Sequence, residues 1–453
     1  MTLTTVPRYD PGRTPDVGDS AVVVGAGMAG LCTARVLADN FETVTVVDRD
    51  PLPDEPVARR GVPQSRHLHV LLEGGRATFE DLFPGFGEDV IDAGGVTHDG
   101  ARDARFYMEG GFLADGPRRR TVVAATRPLY EQLLRRRVAG LDGVELRPGC
   151  QFTDYVLDDA GERVSGIVVR STEDGEAPPE QLAADLVVDA TGRTSRTPEW
   201  LDDHGYTAPP VEEVRVDVTY STVYVDRPDG DRRGVAVFPS PGRPRGGVCI
   251  PVEDGRWLVT LWGMHGDDPP TDPEGFVEFA ASLPVSHLER LLDEHDRLTD
   301  DIPHYPFPAN LRRRYEELDR FPDGLIVVGD GVASFNPIYG QGMSVAAFEA
   351  VQLHHALAAD GLDDLTFRYF DRIEETVDLA WNLAVGSDHQ FPQTDGPKPR
   401  GTDILNWYLS RYLQQAHTDG KLRDDFFRVQ MMELPPSALF RPRNLWRVFG
   451  PMG

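Results

Sequence analysis

Six residues, Gly25-Ala26-Gly27-Met28-Ala29-Gly30, form a complete Gly-x-Gly-x-x-Gly motif. Glycine at the first position allows a tight turn, at the second lets the backbone approach a phosphate, and at the third lets a helix and a strand pack closely. Asp48 follows 18 residues after Gly30, where a carboxylate can accept hydrogen bonds from ribose hydroxyls. The spacing predicts a dinucleotide site, and because the acid would repel a 2′-phosphate, the expected nucleotide is FAD or NAD.

A second glycine-rich stretch runs from Gly329 to Met343 and contains Asp330, Pro337, Gly340 and Gly342. Asp330 ends an apolar run, so its carboxylate can accept from sugar or ribityl hydroxyls. Gly340 to Met343 are predicted to begin a helix. Its N–H groups would favour the negative charge of a reduced flavin.

Several apolar runs have to position these residues. Ala21–Val24, Val44–Val47, Leu186–Val188 and Leu325–Val328 are predicted to be buried parallel strands, whose carboxyl ends share one edge of a sheet. Residues 214–262 alternate in hydropathy and predict an antiparallel sheet. An apolar face of this sheet would suit a hydrophobic substrate, and plain core packing is the alternative for most of its large apolar side chains individually. These side chains are Phe238, Trp257, Trp262 and Met264.

The predicted fold class is α/β, with a Rossmann-type FAD-binding domain, an antiparallel β substrate domain and a helical C-terminal region. The first part of the FAD-binding domain is predicted at 20–205, with strands of the substrate layer inserted near 96–124. The substrate domain is predicted at 206–315, the second part of the FAD-binding domain at 316–390, and the helical region at 391–453.

The composition is strongly acidic, with 74 Asp and Glu against 46 Lys and Arg and a net charge of −28. Lys398 and Lys421 are the only lysines. Molar salt would screen such repulsion, so a halophilic protein is the favoured interpretation, and an ordinary acidic, arginine-preferring bacterial protein is the alternative. The charge argues against nucleic acid as a partner.

The three cysteines are scattered and predict neither a disulfide scaffold nor a zinc site, and no metal is expected. The N-terminus has no apolar leader, and no apolar run is long enough to cross a membrane, so a cytoplasmic location is expected.

Five stretches together resemble one family of enzymes. They are Gly25–Asp50, Gly61–His69, the helix predicted from Arg127, Asp185–Arg193 and Gly329–Met343. From about Ala21 to about Val385, the sequence resembles the FAD-dependent monooxygenases of the aromatic-hydroxylase and squalene-epoxidase superfamily. The resemblance implies an FAD-binding domain of the glutathione-reductase type in a p-hydroxybenzoate hydroxylase-like fold. Within it, the sequence is most similar to bacterial polyether-type epoxidases.

The resemblance implies roles for particular residues. Met28, Ala29, Asp48 and Arg49 would bind the ADP half of FAD, Arg127 the pyrophosphate and Asp330 the ribityl chain. Gly342 and Met343 would lie against the isoalloxazine ring. The loop that carries Arg66, His67 and His69 would run near the ring, where Arg66 and His67 are catalytic candidates. Tyr339, inside the flavin loop, is a third candidate. The plainer alternative is that these side chains only hydrogen-bond the backbone.

The implied reaction transfers one oxygen atom from O₂ to a hydrophobic substrate, by epoxidation or hydroxylation, through a C4a-hydroperoxyflavin. The middle motif, Asp189-Ala190-Thr191-Gly192-Arg193, lacks the Asp-Gly pair tied to NAD(P)H use in related hydroxylases. NAD(P)H could therefore act directly or through a separate flavin reductase.

Three alternatives stay open at this point. One is a prenyl-lipid reductase of the geranylgeranyl-reductase type, and another is a non-catalytic flavin-binding protein. The third, a flavin-dependent halogenase, is disfavoured because no lysine precedes Lys398.

The C-terminal segment Leu439–Phe449 is basic and aromatic in an acidic protein. It could touch a membrane surface or lie on the acidic body as an ordinary tail, and the tail is the favoured interpretation.

Overall fold

Short apolar runs form strands and longer runs with a helical period form helices, in a computed structural model that describes residues 1–174 and 177–450. The strands are β1 (Gly18–Val24), β2 (Phe41–Val47), β3 (Val96–Asp99), β4 (Ala104–Met108), β5 (Gly111–Phe112), β6 (Thr121–Ala124), β7 (Val144–Arg147), β8 (Cys150–Leu157), β9 (Val164–Ser171), β10 (Glu180–Ala183), β11 (Leu186–Asp189), β12 (Val211–Asp226), β13 (Gly234–Val237), β14 (Arg245–Val252), β15 (Arg256–Met264), β16 (His304–Arg313), β17 (Leu325–Val327) and β18 (Ala333–Ser334). The helices are α1 (Met28–Leu37), α2 (Glu73–Leu82), α3 (Phe86–Asp92), α4 (Arg127–Ala139), α5 (Thr197–Asp203), α6 (Pro273–Ala281), α7 (His287–Glu294), α8 (Gly342–Asp360), α9 (Leu365–Asp388), α10 (Thr402–Ala416), α11 (Gly420–Gln430) and α12 (Pro442–Phe449).

The sheet that carries the glycine motif is parallel, with the strand order β17-β11-β1-β2-β7. Val24 at the end of β1 lies opposite Asp189 of β11 and Val47 of β2, and Asp189 lies opposite Val327 of β17. In this register the strands end at one edge. The turns that follow β1, β2, β11 and β17 therefore share that edge, as the sequence predicts.

A larger sheet has the order β18-β16-β12-β15-β14-β13-β4-β5. It is antiparallel except between β4 and β13, which run parallel. The predicted fold class is confirmed. Two strands that precede residue 206, β4 and β5, extend this sheet, while β3 and β6 pair with each other separately. The domain boundaries themselves stay a prediction.

The two faces of the larger sheet have different neighbours, because successive side chains of a strand point to opposite faces. On β15, Trp257 belongs to an apolar cluster with residues of α6 and α7. Trp262 and Met264 belong to a second cluster that includes Leu68 and Ile338. Trp257 therefore lies on the helix-covered face, where plain core packing describes it, and only Trp262 and Met264 lie on the face toward Leu68 and Ile338.

The C-terminal helices surround their own apolar cluster, to which Tyr412 and Phe426 contribute. This cluster meets the large sheet at Phe106, whose ring centroid lies 4.4 Å from that of Phe427. None of the helices in the described part of the chain is long and apolar enough to cross a bilayer.

The N-terminal residues form an ordered contact, although their polar, Pro- and Gly-containing sequence predicts a loose arm. Thr2, Val6 and Tyr9 are buried, and the N–H of Leu3 donates to the carbonyl oxygen of Met432 at 2.9 Å. Apolar side chains between the polar residues anchor the arm on the C-terminal half of the chain.

Candidate functional site

The loop between β1 and α1 has the geometry of a phosphate-binding turn. Gly25 has a φ of +111°, and a Cβ on Gly30 would lie 1.9 Å from the Gly25 carbonyl oxygen, so only glycine allows this approach. Around Gly27, no non-neighbouring heavy atom of the described residues lies within 4 Å of a Cβ position. No side chain of that part of the chain caps the N-terminus of α1. The backbone N–H groups there are available to an anion.

Asp48, the predicted ribose acceptor, already binds the protein. Its carboxylate accepts the N–H of Ala26 and that of Asp50, both at 2.8 Å, and Arg59 Nη1 lies 3.3 Å from it. A carboxylate has about four acceptor positions, so Asp48 can hold the loop and still accept from a sugar hydroxyl. Arg49, the next predicted ligand, is exposed at the same strand end.

Sequence reasoning missed Arg59 and Glu131, which lie behind this loop. Arg59 is 6% exposed, donates to Glu131 Oε1 at 2.6 Å and to Asp50 at 3.0 Å, and reaches the carbonyl oxygen of Ala26. Glu131 also accepts from Arg127 and Arg135, both at 3.3 Å. The i, i+4 spacing of Arg127, Glu131 and Arg135 on one helix was the signal available in the sequence.

Arg127 is the first residue of α4 and is 7% exposed, so it is a buried arginine rather than a surface one. Burial lowers its pKa, while the carboxylates of Glu131 and Asp330 favour its charged form. Its charge therefore interacts with Glu131, behind the nucleotide loop, and with Asp330, in the turn after β17, while its contact with a pyrophosphate stays a prediction.

The turn after β17 approaches α1 closely. Gly329 has a φ of +63°, and a Cβ there would lie 2.7 Å from the Cβ of Ala29. Burial raises the pKa of Asp330, and the guanidinium groups of Arg127, Arg193 and Arg313 oppose that shift. Asp330 is thus a partly buried acceptor surrounded by arginines.

Glu349 supports this turn from α8 and was also missed. It is 1% exposed, its Oε2 accepts the N–H of Gly329 at 2.6 Å, and burial raises its pKa to about 8. An acid in the middle of a helix whose other residues are mostly apolar was the available signal.

The predicted flavin loop ends at the uncapped N-terminus of α8. Pro337 is exposed, Gly340 has a φ of +67°, and Met343 is 6% exposed. Around Gly342, apart from its chain neighbours and the backbone of its own helix, no heavy atom of the described residues lies within 4 Å of a Cβ position. Gln341 is buried, and its side-chain oxygen and nitrogen have no partner within the part of the chain that the structure describes.

These observations fit FAD. Two helix N-termini with free N–H groups, those of α1 and α8, border one sheet edge, and both open at a glycine without neighbouring side chains. Asp330 follows β17 at this edge, and its charge and that of Arg127 act on each other. Phosphates suit the first helix end, a polyhydroxyl chain suits Asp330, and a ring that becomes negative on reduction suits the second helix end.

His67 belongs to a buried polar chain rather than to the backbone alone. Its Nδ1 lies 2.8 Å from Thr222 Oγ1, and Thr222 Oγ1 lies 2.8 Å from Thr260 Oγ1. The imidazole packs against the rings of the cross-strand neighbours Tyr220 and Tyr305, whose centroids lie about 6 Å from its own. Burial lowers the pKa of His67 to about 4, so it is neutral at pH 7.

His69 and Arg66, which are close to His67 in the chain, differ from it in their contacts and exposure. His69 Nδ1 lies 3.1 Å from the carbonyl oxygen of His67, and burial lowers its pKa to about 3. Arg66 is exposed. The geometry thus connects His67 to the large sheet, whereas the alternative of a backbone contact describes His69.

Tyr339 donates its hydroxyl to Asp388 Oδ1 at 2.8 Å. Asp388 is fully buried and also accepts from Asn310 Nδ2 at 2.7 Å and Asn336 Nδ2 at 2.8 Å. Tyr220 reaches Asn336 at 3.4 Å. This network fastens the flavin loop to β16 and to the end of α9, and none of Asp388, Asn310 and Asn336 was singled out by the sequence.

A family profile described as "FAD binding domain" matches residues 19–361. The chain belongs to this family of FAD-dependent monooxygenases. A curated relative from Mycobacterium tuberculosis, Protein Rv3254, is 35% identical over 429 residues, covering 92% of this chain and 90% of the relative. Kynurenine 3-monooxygenase from Salinispora tropica is 26% identical, covering 75% of this chain and 73% of the relative. The solved structure of the flavin-dependent brominase Bmp2 is similar in fold, with a TM-score of 0.64, 17% identity and coverage of 92% of this chain and 94% of that one.

Proposed function

We propose that this flavoprotein inserts one oxygen atom from O₂ into a hydrophobic organic substrate, by epoxidation or by hydroxylation. The observation that carries the proposal is an apolar layer between the large sheet and the predicted flavin loop. Trp262, Met264 and Phe307 of the sheet cluster with Ile338 of that loop. A substrate on this layer would have apolar walls and would exclude water.

Polar groups are few at this layer. His67, neutral and aligned by Thr222, is the group best placed to orient a substrate or an oxygen atom by a hydrogen bond. Tyr220 and Tyr305 flank it. We expect orientation of the substrate, rather than a pair of acid and base side chains, to be the main contribution of this chain.

FAD supplies the two-electron chemistry and the reaction with O₂ when it is bound. The chain's own residues hold it: Gly27 and α1 at the phosphates, Asp48 at the ribose, Arg127 at the pyrophosphate, Asp330 at the ribityl chain, and Gly342 with α8 at the ring. Arg66 and Tyr339 stay candidates for contacts with the substrate. The hydroxyl of Tyr339 is engaged by Asp388, which leaves its ring for such a contact.

The source of electrons is part of the proposal. Asp189 accepts hydrogen bonds from the N–H and hydroxyl of Thr191 and from the hydroxyls of Ser195 and Thr197. It is 1% exposed, and these hydrogen bonds hold the turn after β11. We propose NAD(P)H as the donor, either directly or through a separate flavin reductase.

The halogenase and the prenyl-lipid reductase have less support as functions of this chain. Lys398 is paired with Asp403 at an exposed position of the C-terminal region, so it does not serve as a halogenase lysine, and the likeness to Bmp2 shows the fold alone. The relatives named above include a monooxygenase and no prenyl-lipid reductase.

The test uses FAD-loaded protein, reduced without oxygen and then mixed with ¹⁸O₂ in the presence of alkenes, isoprenoids, polyketides and aromatic compounds. We expect one ¹⁸O atom in the product. Without substrate, a transient absorbing species should precede the return of oxidised flavin. Reduction of an alkene without O₂ would support the reductase instead, and product that requires chloride or bromide would support the halogenase.

A further inference from the structure

Six large apolar side chains are exposed together on α10, on α12 and on the turn that precedes α12. This C-terminal aromatic face consists of Ile404 (73% exposed), Trp407 (61%), Phe440 (40%), Leu445 (36%), Trp446 (67%) and Phe449 (47%). Such contiguous apolar surface on a protein usually marks an interaction site.

Ring contacts join the two helices into one surface. The ring centroids of Trp407 and Phe449 lie 6.0 Å apart in a stacked arrangement, and Phe440 stacks on Tyr408 at 4.7 Å. Asn444 and Val448 are buried on the inner side of α12. The helix is therefore fixed with its apolar residues facing outward.

The charge of this region is opposite to that of the whole chain. Residues 398–450 contain nine Lys and Arg against five Asp and Glu, in a chain of net charge −28. Arg411 lies 5.3 Å from the centre of the Phe449 ring, and Arg441 is exposed at the start of α12. Arg411 and Arg441 thus border the aromatic face, and the exposed Asp403 beside Ile404 is paired with Lys398.

The arginines of α12 do not clamp this region onto the acidic body. Arg443 pairs with Asp425 at 2.8 Å, and Arg447 pairs with Asp419. Both acids belong to the same C-terminal helical region. The interpretation of an ordinary tail held by the acidic body therefore does not account for the exposed rings.

We propose that the C-terminal aromatic face docks on the surface of an anionic lipid bilayer. Aromatic rings and Leu or Ile enter the boundary between headgroups and acyl chains, while arginines contact lipid phosphates. No helix of the described residues can span a bilayer, so the chain would lie on the surface. At physiological salt the acidic body beyond roughly 8 Å is largely screened from the headgroups.

A second copy of the chain is a less suitable occupant. In a two-fold symmetric dimer the same patch meets itself, so Arg411 and Arg441 of one copy would face those of the other. An anionic surface has the complementary charge instead.

The experiment uses the full-length, FAD-loaded protein with vesicles of phosphatidylcholine and phosphatidylserine, and with vesicles of phosphatidylcholine alone. We expect co-sedimentation with the anionic vesicles and a blue shift of tryptophan fluorescence. The readout is specific, because Trp200, Trp257, Trp262 and Trp381 are each at most 8% exposed. Brominated lipids should quench the signal of Trp407 and Trp446.

Trp407→Ala with Trp446→Ala should lower partitioning about tenfold or more, since two large apolar groups are lost. Arg411→Glu with Arg441→Glu should remove the preference for anionic vesicles. The matched control, Val211→Ala with Leu298→Ala, changes exposed apolar residues elsewhere, which are 56% and 49% exposed, and should bind as the parent does. Equal melting midpoints and FAD affinities would show that all variants fold.

Binding of the parent to neither vesicle, or equal binding of the tryptophan variant, would overturn the proposal. An oligomer that disappears in the tryptophan variant, without vesicle binding, would assign the face to a second copy and overturn it as well. The outcome is independent of the oxygenation proposal, because neither substrate nor turnover is measured.

Discussion

The loop after β1 and the network around Asp388 lie at opposite ends of the proposed cofactor site and are built differently. The loop uses backbone N–H groups and the absence of side chains, within Gly25–Gly30. The network uses side chains that come from residues 310, 336, 339 and 388. The comparison shows that one site can combine a local motif, complete in one stretch of sequence, with an assembly that exists only after the chain has folded.

The largest expected effect on stability is that of a substitution at Gly30, and Gly27 in the same loop provides the comparison. Gly30→Ala would place a Cβ 1.9 Å from a backbone oxygen, so we expect a loss of about 3 kcal/mol in the free energy of unfolding, with weaker FAD binding. Gly27→Ala has open space around it and should fold normally while binding FAD more weakly. Denaturant unfolding and flavin titration measure both. Normal FAD affinity in the Gly27 variant would show that the phosphates bind elsewhere.

Arg127 and Arg135 both contact Glu131, and comparing substitutions of the two tests whether Arg127 binds the pyrophosphate. Arg127→Gln should weaken FAD binding about tenfold, because a buried charge that faces the phosphates is lost. Arg135→Gln removes a guanidinium at the same 3.3 Å distance from Glu131 but with its other contact at Pro53. It should have little effect on FAD affinity. Equal losses in the two variants would indicate a purely structural role for the cluster.

Substitutions of Thr222 test whether the hydrogen bond to His67 contributes to the reaction. Thr222→Val removes the hydroxyl that orients His67 and should lower the amount of product per NAD(P)H consumed about tenfold, with unchanged FAD affinity. Thr222→Ser keeps the hydroxyl and should restore the coupling, that is, the amount of product formed per NAD(P)H consumed. If the valine variant couples normally, His67 does not orient the reaction.

A pH dependence is expected at the network. Burial raises the pKa of Asp388 to about 6, above its ordinary value near 3.8, so the folded chain holds this proton more tightly than the unfolded chain. The contribution of Asp388 to the free energy of unfolding should therefore fall by about 1 to 3 kcal/mol between pH 4 and pH 6 and then stay constant.

Comparison with Asp388→Asn isolates this dependence, because the amide does not titrate. The difference in unfolding free energy between parent and variant should favour the parent most at low pH. A difference that grows as the pH rises through 6 would contradict the assignment.

The smallest effect is expected at Tyr339. Tyr339→Phe loses the hydrogen bond to Asp388 and should lower the unfolding free energy by about 1 kcal/mol, with coupling unchanged if only the ring meets the substrate. Thermal melting and product analysis distinguish this from a catalytic hydroxyl, whose loss would lower turnover without affecting stability.

The sequence by itself determined the nucleotide half of the molecule. A strand, a glycine turn, a helix and an acid within about thirty residues define the local geometry, and the turns after β11 and β17 follow the same rule. The alternation in residues 214–262 likewise predicted the antiparallel strands of that range, although β16 and β18 of the same sheet lie outside it. These features are determined by neighbours in the chain, so a single sequence displays them.

Tertiary structure decided the rest. Whether Trp257 or Trp262 faces the flavin loop depends on which face of the large sheet α6 and α7 cover. The burial of Arg127 depends on its packing with Arg59 and Glu131. His67 meets Thr222 across 155 residues, and Asp388 meets Asn310 across 78. Such contacts carry no periodicity or spacing in the sequence, because they arise only when separate elements pack against each other.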